Sequence, residues 1–174
     1  MKHRPTSIRF DLTNPEASYR TAAFGAFGNI ALAKSNKSGV SSNVNIDGPG
    51  GGRIVIRGGK LAVSGESSIR ADNSNSGQAG GDGIIKVDQL SVSGSAACGE
   101  QSKIEVTTTG AGAGGNLQID AGSVAISEEA TIRVETPSGL GNAGKLTLNV
   151  DGSVTLTGGG VPNSIISTAE TIHP

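Results

Sequence analysis

The chain has 174 residues, of which three are Phe, one is Tyr and none is Trp, while 28 are Gly. A globular core centred on aromatic side chains is therefore excluded, and the core must be aliphatic. Fourteen basic and 15 acidic residues are spread evenly for a net charge of −1, which leaves no basic stripe with interleaved aromatics for nucleic acid. The lone Cys98 excludes a disulfide framework and a cysteine-based metal site, and reads as a tolerated loop residue in the irregular corner from Gly94 to Lys103.

The amino terminus, Met1-Lys2-His3-Arg4-Pro5, is basic, but no apolar run of signal-peptide length follows and no stretch approaches a membrane span. By this reading the chain carries no export address of its own. From Ser7 to Leu12 the residues Ile8, Phe10 and Leu12 alternate as in a strand. Asn14-Pro15-Glu16 then resembles a helix start, with a capping Asn, Pro at the first helical position and an early acid, leading into Ala17 to Phe24 and ending at Gly25 or Gly28. A short helix there would cover the open end of whatever follows. Residues 1–28 are accordingly read as an N-terminal strand with a capping helix, and residues 29–172 as a repeat domain.

The repeat is the dominant signal. Asn29-Ile30-Ala31-Leu32 repeats the pattern of the first strands of the coils that follow and Asn43-Val44-Asn45-Ile46 that of the third, with a degenerate polar stretch between them, so residues 29–48 read as one imperfect coil. From Gly50 to Thr168 a phrase then recurs in which a Gly-rich run precedes three short alternating strands. The first strands are Ile54-Val55-Ile56, Ile85-Lys86-Val87, Leu117-Gln118-Ile119 and Leu146-Thr147-Leu148. The second are Leu61-Ala62-Val63, Leu90-Ser91-Val92, Val124-Ala125-Ile126 and Val154-Thr155-Leu156. The third are Ile69-Arg70-Ala71, Ile104-Glu105-Val106, Ile132-Arg133-Val134 and Ile166-Ser167-Thr168, and every inward position of the grid but Thr168 is apolar. The first column advances by 31, 32 and 29 residues (54 to 85, 85 to 117, 117 to 146), so lengths vary in the corners while the strands keep register.

A coil of three short strands cannot bury its own inner face. Stacking coils lets each strand pair in parallel with its equivalents above and below at about 4.8 Å per rung. The predicted fold class is all-β: a right-handed parallel β-helix, or solenoid, with three short strands per coil and four to five coils. The abundance of Gly, Ser, Thr and Asn would by itself suit a disordered low-complexity chain, but the regular placement of β-branched residues argues against that.

The phrases Gly50-Gly51-Gly52-Arg53-Ile54-Val55-Ile56-Arg57-Gly58-Gly59-Lys60-Leu61, Gly141-Asn142-Ala143-Gly144-Lys145-Leu146-Thr147-Leu148 and Thr107 to Asn116 resemble the filamentous haemagglutinin type of exoprotein. These are large bacterial proteins exported by two-partner secretion, and the resemblance covers about Gly28 to Ile172. It implies a secreted or surface-attached filament, passed through an outer-membrane partner and folded outside the cell, with roles in adhesion and aggregation. The family's amino-terminal secretion domain has Asn-Pro motifs that Asn14-Pro15-Glu16 does not match, so the chain reads as a piece of the repeat shaft.

The residues are weighed for chemistry on the same grid. β-Helix enzymes that act on polysaccharides gather carboxylates with Arg or Lys on one outer face. After the first strands come Arg57, Asp88, Asp120 and Asn149, which would put Asp88 and Asp120 on successive rungs; a turn role is favoured over weak cation binding, and both over catalysis. Arg70, Glu105 and Arg133 occupy the outward position of successive third strands and would alternate in charge, a pairing worth a few tenths of a kcal/mol, about 0.3.

Gly80-Gly81-Asp82-Gly83 is one isolated instance of a calcium-repeat phrase, and His3 and His173 lie at opposite ends. The Gly-rich corners precede strands, whereas phosphate-cradling loops need a helix behind them. No catalytic, cofactor or metal site is expected. The expected partners are glycans or a neighbouring cell surface, met by a flat face of Ser91, Thr155 and other small residues, with end-to-end association of copies through open coil edges.

Overall fold

In a computed structural model the described residues are 27–48, 52–74, 79–94, 101–137, 141–142, 144–158 and 163–169. The predicted N-terminal strand and capping helix, Cys98 and both histidines lie outside them. The described chain is a parallel β-solenoid of about four turns, without a helix, built as two parallel sheets.

The first sheet holds β1 (Ile30–Leu32), β3 (Ile54–Ser64), β5 (Gly83–Ser93), β7 (Leu117–Ser127), β9 (Leu146–Val150) and β10 (Val154–Thr157). The second runs β2 (Asn43–Asn45), β4 (Ser68–Asn73), β6 (Lys103–Thr108), β8 (Thr131–Thr136) and β11 (Ser164–Ala169). The three expected columns thus occupy two sheets. In the middle coils the first and second short strands join as one 11-residue strand, and only the last coil keeps them apart as β9 and β10. The join has a cause in the alternation. Ile54, Ile56 and Gly58 stack on Gly83, Ile85 and Val87, the ladder skips one position, and Leu61 and Val63 resume on Leu90 and Val92. That skipped residue changes the phase of the pleat and lets one strand bend round the core while keeping its apolar residues inside.

Three alignments differ from expectation. Ile30-Ala31-Leu32, expected in the first-strand column, pairs instead with the second-strand residues Leu61-Ala62-Val63. Ile85 pairs with Ile56 and not with Ile54, whose partner is Gly83. A Cβ on Gly83 would lie 2.8 Å from Cδ1 of Leu117 on the next rung, so a larger residue there would require the Leu117 side chain to shift. In the last coil Ile165, not Ile166, stacks on Ile132, and Ile166 stands over Arg133.

The core is a single aliphatic column, with Leu61, Val63, Val92, Ile119 and Ile126 wholly buried. Burying a side chain of this size is worth about 2 kcal/mol, and among the described residues no aromatic takes part in the cluster. The Gly-rich runs have a packing reason. A Cβ on Gly81, Gly115 or Gly144 would fall 1.9, 2.0 or 1.8 Å from the carbonyl oxygen of Gly52, Gly81 or Gly115 respectively, so each rung's backbone occupies the space of its neighbour's missing side chain.

Polar residues are also inside. Ser67, Asn73, Ser102, Thr108 and Thr136 have no solvent exposure. Ser67 and Ser102 act between rungs: their hydroxyls accept the backbone N–H groups of Ser42 and Glu66, each at 3.1 Å. The alternation of apolar residues carries no sign of these serines, because they sit in corners and are held by backbone groups of other coils.

Candidate functional site

The bend of the long strands is the place where the first sheet opens outward. Gly58 and Gly122 contribute no side chain there, and a shallow groove of about 490 Å³ runs along the bend between Lys86, Asp88, Asp120, Asn149 and Asp151. Phe27, 42% exposed, stands at its lower end.

The expected neighbours Asp88 and Asp120 do not share a column. The ladder puts Arg57, Lys86, Asp120 and Asn149 in one vertical line, so a cation stands where the second carboxylate was expected. The reason is the same Gly83 alignment, which moves the first-strand residues of that coil by one pleat relative to the sequence grid, while its second and third strands keep the expected register. Lys86 Nζ lies 2.9 Å from Asp120 Oδ2. Gln118 Nε2 donates to both carboxylate oxygens at 3.0 Å, and Asn149 Nδ2 donates to Oδ1 at 2.8 Å. These hydrogen bonds, from Gln118 first, then Asn149 and Lys86, lower the Asp120 carboxyl from its ordinary 3.8 to about 2. A carboxylate so held is ionised at neutral pH and is a weak base. It does not suit the general-acid role of a glycosidase pair, in which the carboxyl must keep its proton near neutrality.

The second sheet carries the charged ladder. Glu105, whose side chain is 3% exposed, lies between Arg70, with Nε 2.8 Å from its Oε1, and Arg133, with Nη2 2.6 Å from its Oε2. Lys103 Nζ adds a contact at 3.3 Å to Oε1. Outer acids complete the array: Arg70 pairs with Asp72 and lies 3.8 Å from Asp47, and Arg133 lies 3.4 Å from Glu135. The Arg70 guanidinium is held above its ordinary pKa, chiefly by the hydrogen bond to Asp72. Asp47, Asp72, Glu105 and Glu135 face Arg70, Lys103 and Arg133, so the array is nearly neutral and its charges are used within it. It is a register device. The alternation of charge was legible in sequence, whereas the burial of Glu105 was not, because it depends on long side chains from the rungs above and below.

Asp82 has a structural occupation too. Its Oδ1 accepts the backbone N–H and the side-chain amide of Asn116, each at 3.1 Å, and Asn116 Oδ1 in turn accepts the N–H of Lys145 at 3.1 Å. This is a staple from rung to rung. Among the described residues no group of three or more His, Cys, Asp and Glu side chains is placed to hold a metal ion.

The remaining surface of the first sheet is flat. Ala31, Ala62, Ser91, Ala125 and Thr155 stack as one outward column, and Ser64, Ser93, Ser127 and Thr157 as another. Short side chains at the rung spacing leave a regular, weakly polar face. Comparison with protein-family models, with curated proteins and with solved structures finds no match.

Proposed function

We propose that this chain is a non-enzymatic segment of a secreted or surface-exposed bacterial filament, a shaft that makes weak, repeated contacts with glycans or with neighbouring surfaces. The observation that carries the reading is the Asp120 cluster. The Asp120 carboxylate in the groove is tied to Lys86, Gln118 and Asn149, while the wider face offers stacked Ser, Thr and Ala at a constant spacing. Such a face suits low-affinity contacts that gain strength by repetition. The resemblance of the Gly-rich phrases to filamentous haemagglutinin exoproteins supports the same reading, together with export through an outer-membrane partner when the segment belongs to a longer protein.

The alternatives are a β-helix enzyme acting on surface polysaccharide and a spacer that binds nothing. Glycan-array binding run beside a turnover assay on acidic polysaccharides separates the three. Retained glycan without turnover is the expected result; release of shortened saccharide would replace the reading with an enzymatic one, and absence of both would leave the spacer.

A further inference from the structure

The two ends of the solenoid differ from its middle in the same way. At the upper end Val154 and Leu156 stack over the buried Val124 and Ile126, yet they are 44% and 49% exposed. Leu146, Leu148 and Ile165 beside them are only partly buried against the core. Among the described residues, β9, β10 and β11 pair on one side alone, which leaves a ladder of unpaired N–H and C=O groups. At the lower end Ile30, Leu32, Val44 and Ile46 line an open apolar cavity of about 350 Å³ with Ile54, Ile56 and Leu61.

We infer that these ends are the two halves of one interface, through which copies of this chain stack head to tail. The argument is continuity with the interface that already joins every rung. Between rungs, an apolar–small–apolar triplet lies on another: Val124-Ala125-Ile126 on Val154-Thr155-Leu156, and Leu61-Ala62-Val63 on Ile30-Ala31-Leu32. Placing β1 of one copy on β10 of another repeats that seam, with Ile30 and Leu32 over Val154 and Leu156 and Ala31 over Thr155. Placing β2 on β11 sets Val44 over Ile165, Asn43 beside Ser164 and Asn45 beside Ile166, so no like charges meet. The two patches differ, so the contact is heterologous and each copy keeps one free end of each kind, the condition for an open linear assembly. The inference stands apart from glycan binding.

Sedimentation of the full chain over low to high micromolar concentration tests it, with Leu156→Lys blocking the upper end and Leu32→Lys the lower. The wild type is expected to sediment faster as concentration rises. Each single variant should remain monomeric, and an equimolar mixture of the two should give a dimer and nothing longer, because one intact end of each kind remains. Val154→Lys should repeat the Leu156→Lys result with an unchanged far-UV spectrum, Val44→Lys replaces Leu32→Lys if the latter fails to fold, and Ala125→Lys on the flat face should leave association as in the wild type. A wild type that stays monomeric overturns the inference. It is equally overturned if a single blocked variant dimerises alone or if the mixture stays monomeric.

Discussion

Arg133 gives both Nε and Nη2 to one oxygen of Glu105, at 2.8 and 2.6 Å, although the two residues stand 28 positions apart in the chain. The contact exists only because β6 and β8 are in register, and it ties the alignment of the second sheet to a charge pair. The other oxygen of Glu105 faces Arg70 from the opposite rung, so one carboxylate joins three successive strands.

Removing that carboxylate leaves Arg70, Lys103 and Arg133 facing one another. Breaking a fully buried pair costs about 3–5 kcal/mol, but the cations here are about one-fifth to one-third exposed, so Glu105→Ala is expected to lose about 2 kcal/mol. Glu105→Gln should lose less, because the amide oxygen still accepts one of the guanidinium hydrogen bonds. Chemical denaturation of both variants, with a double-mutant cycle on Glu105 and Arg133, measures the coupling; a coupling near zero would mean that the pair contributes nothing to register.

Asp120 makes stability depend on pH. Its folded pKa of about 2 lies below the ordinary 3.8, so the stabilisation it provides is complete above about pH 4 and is lost as the pH falls toward 2. The side chain is 27% exposed, and solvent screening reduces the contribution to about 1 kcal/mol. Asp120→Asn should therefore flatten the acid limb of a stability profile recorded between pH 2 and 5, whereas the wild type loses stability across that interval. Superimposable acid limbs in the two proteins would contradict the assignment.

The alignment of the last coil is open to a direct test, because adjacent residues there point opposite ways. Ile165→Asp places a carboxylate against the core cluster and should lower stability by about 2 kcal/mol. Ile166→Asp stands over Arg133 and should change stability by less than about 0.5 kcal/mol. Thermal unfolding decides between them. The reverse order would restore the alignment that places Ile166 inward.

Read on its own, the sequence determined the solenoid, because β-branched residues alternate in short runs that cannot bury an inner face unless coils stack. Val63, Val92 and Ile126, all wholly buried, were legible in this way, as was the alternation of Arg70, Glu105 and Arg133. The structure decided what depends on vertical neighbours. Gly83 fills an inward place without an apolar side chain to announce it, so the pairing of Lys86 with Asp120 could not be counted from spacing. Ile165 and Ile166 are equally apolar, and it is the register of β11 on β8, with Ser164 over Thr131, that sets Ile165 over the buried Ile132. Burial of Glu105, too, was decided by tertiary structure, since its cover comes from side chains of other coils. Alternation is a property of one strand and can be read along the chain; stacking partners are a property of several strands and exist only after the coils have closed on one another.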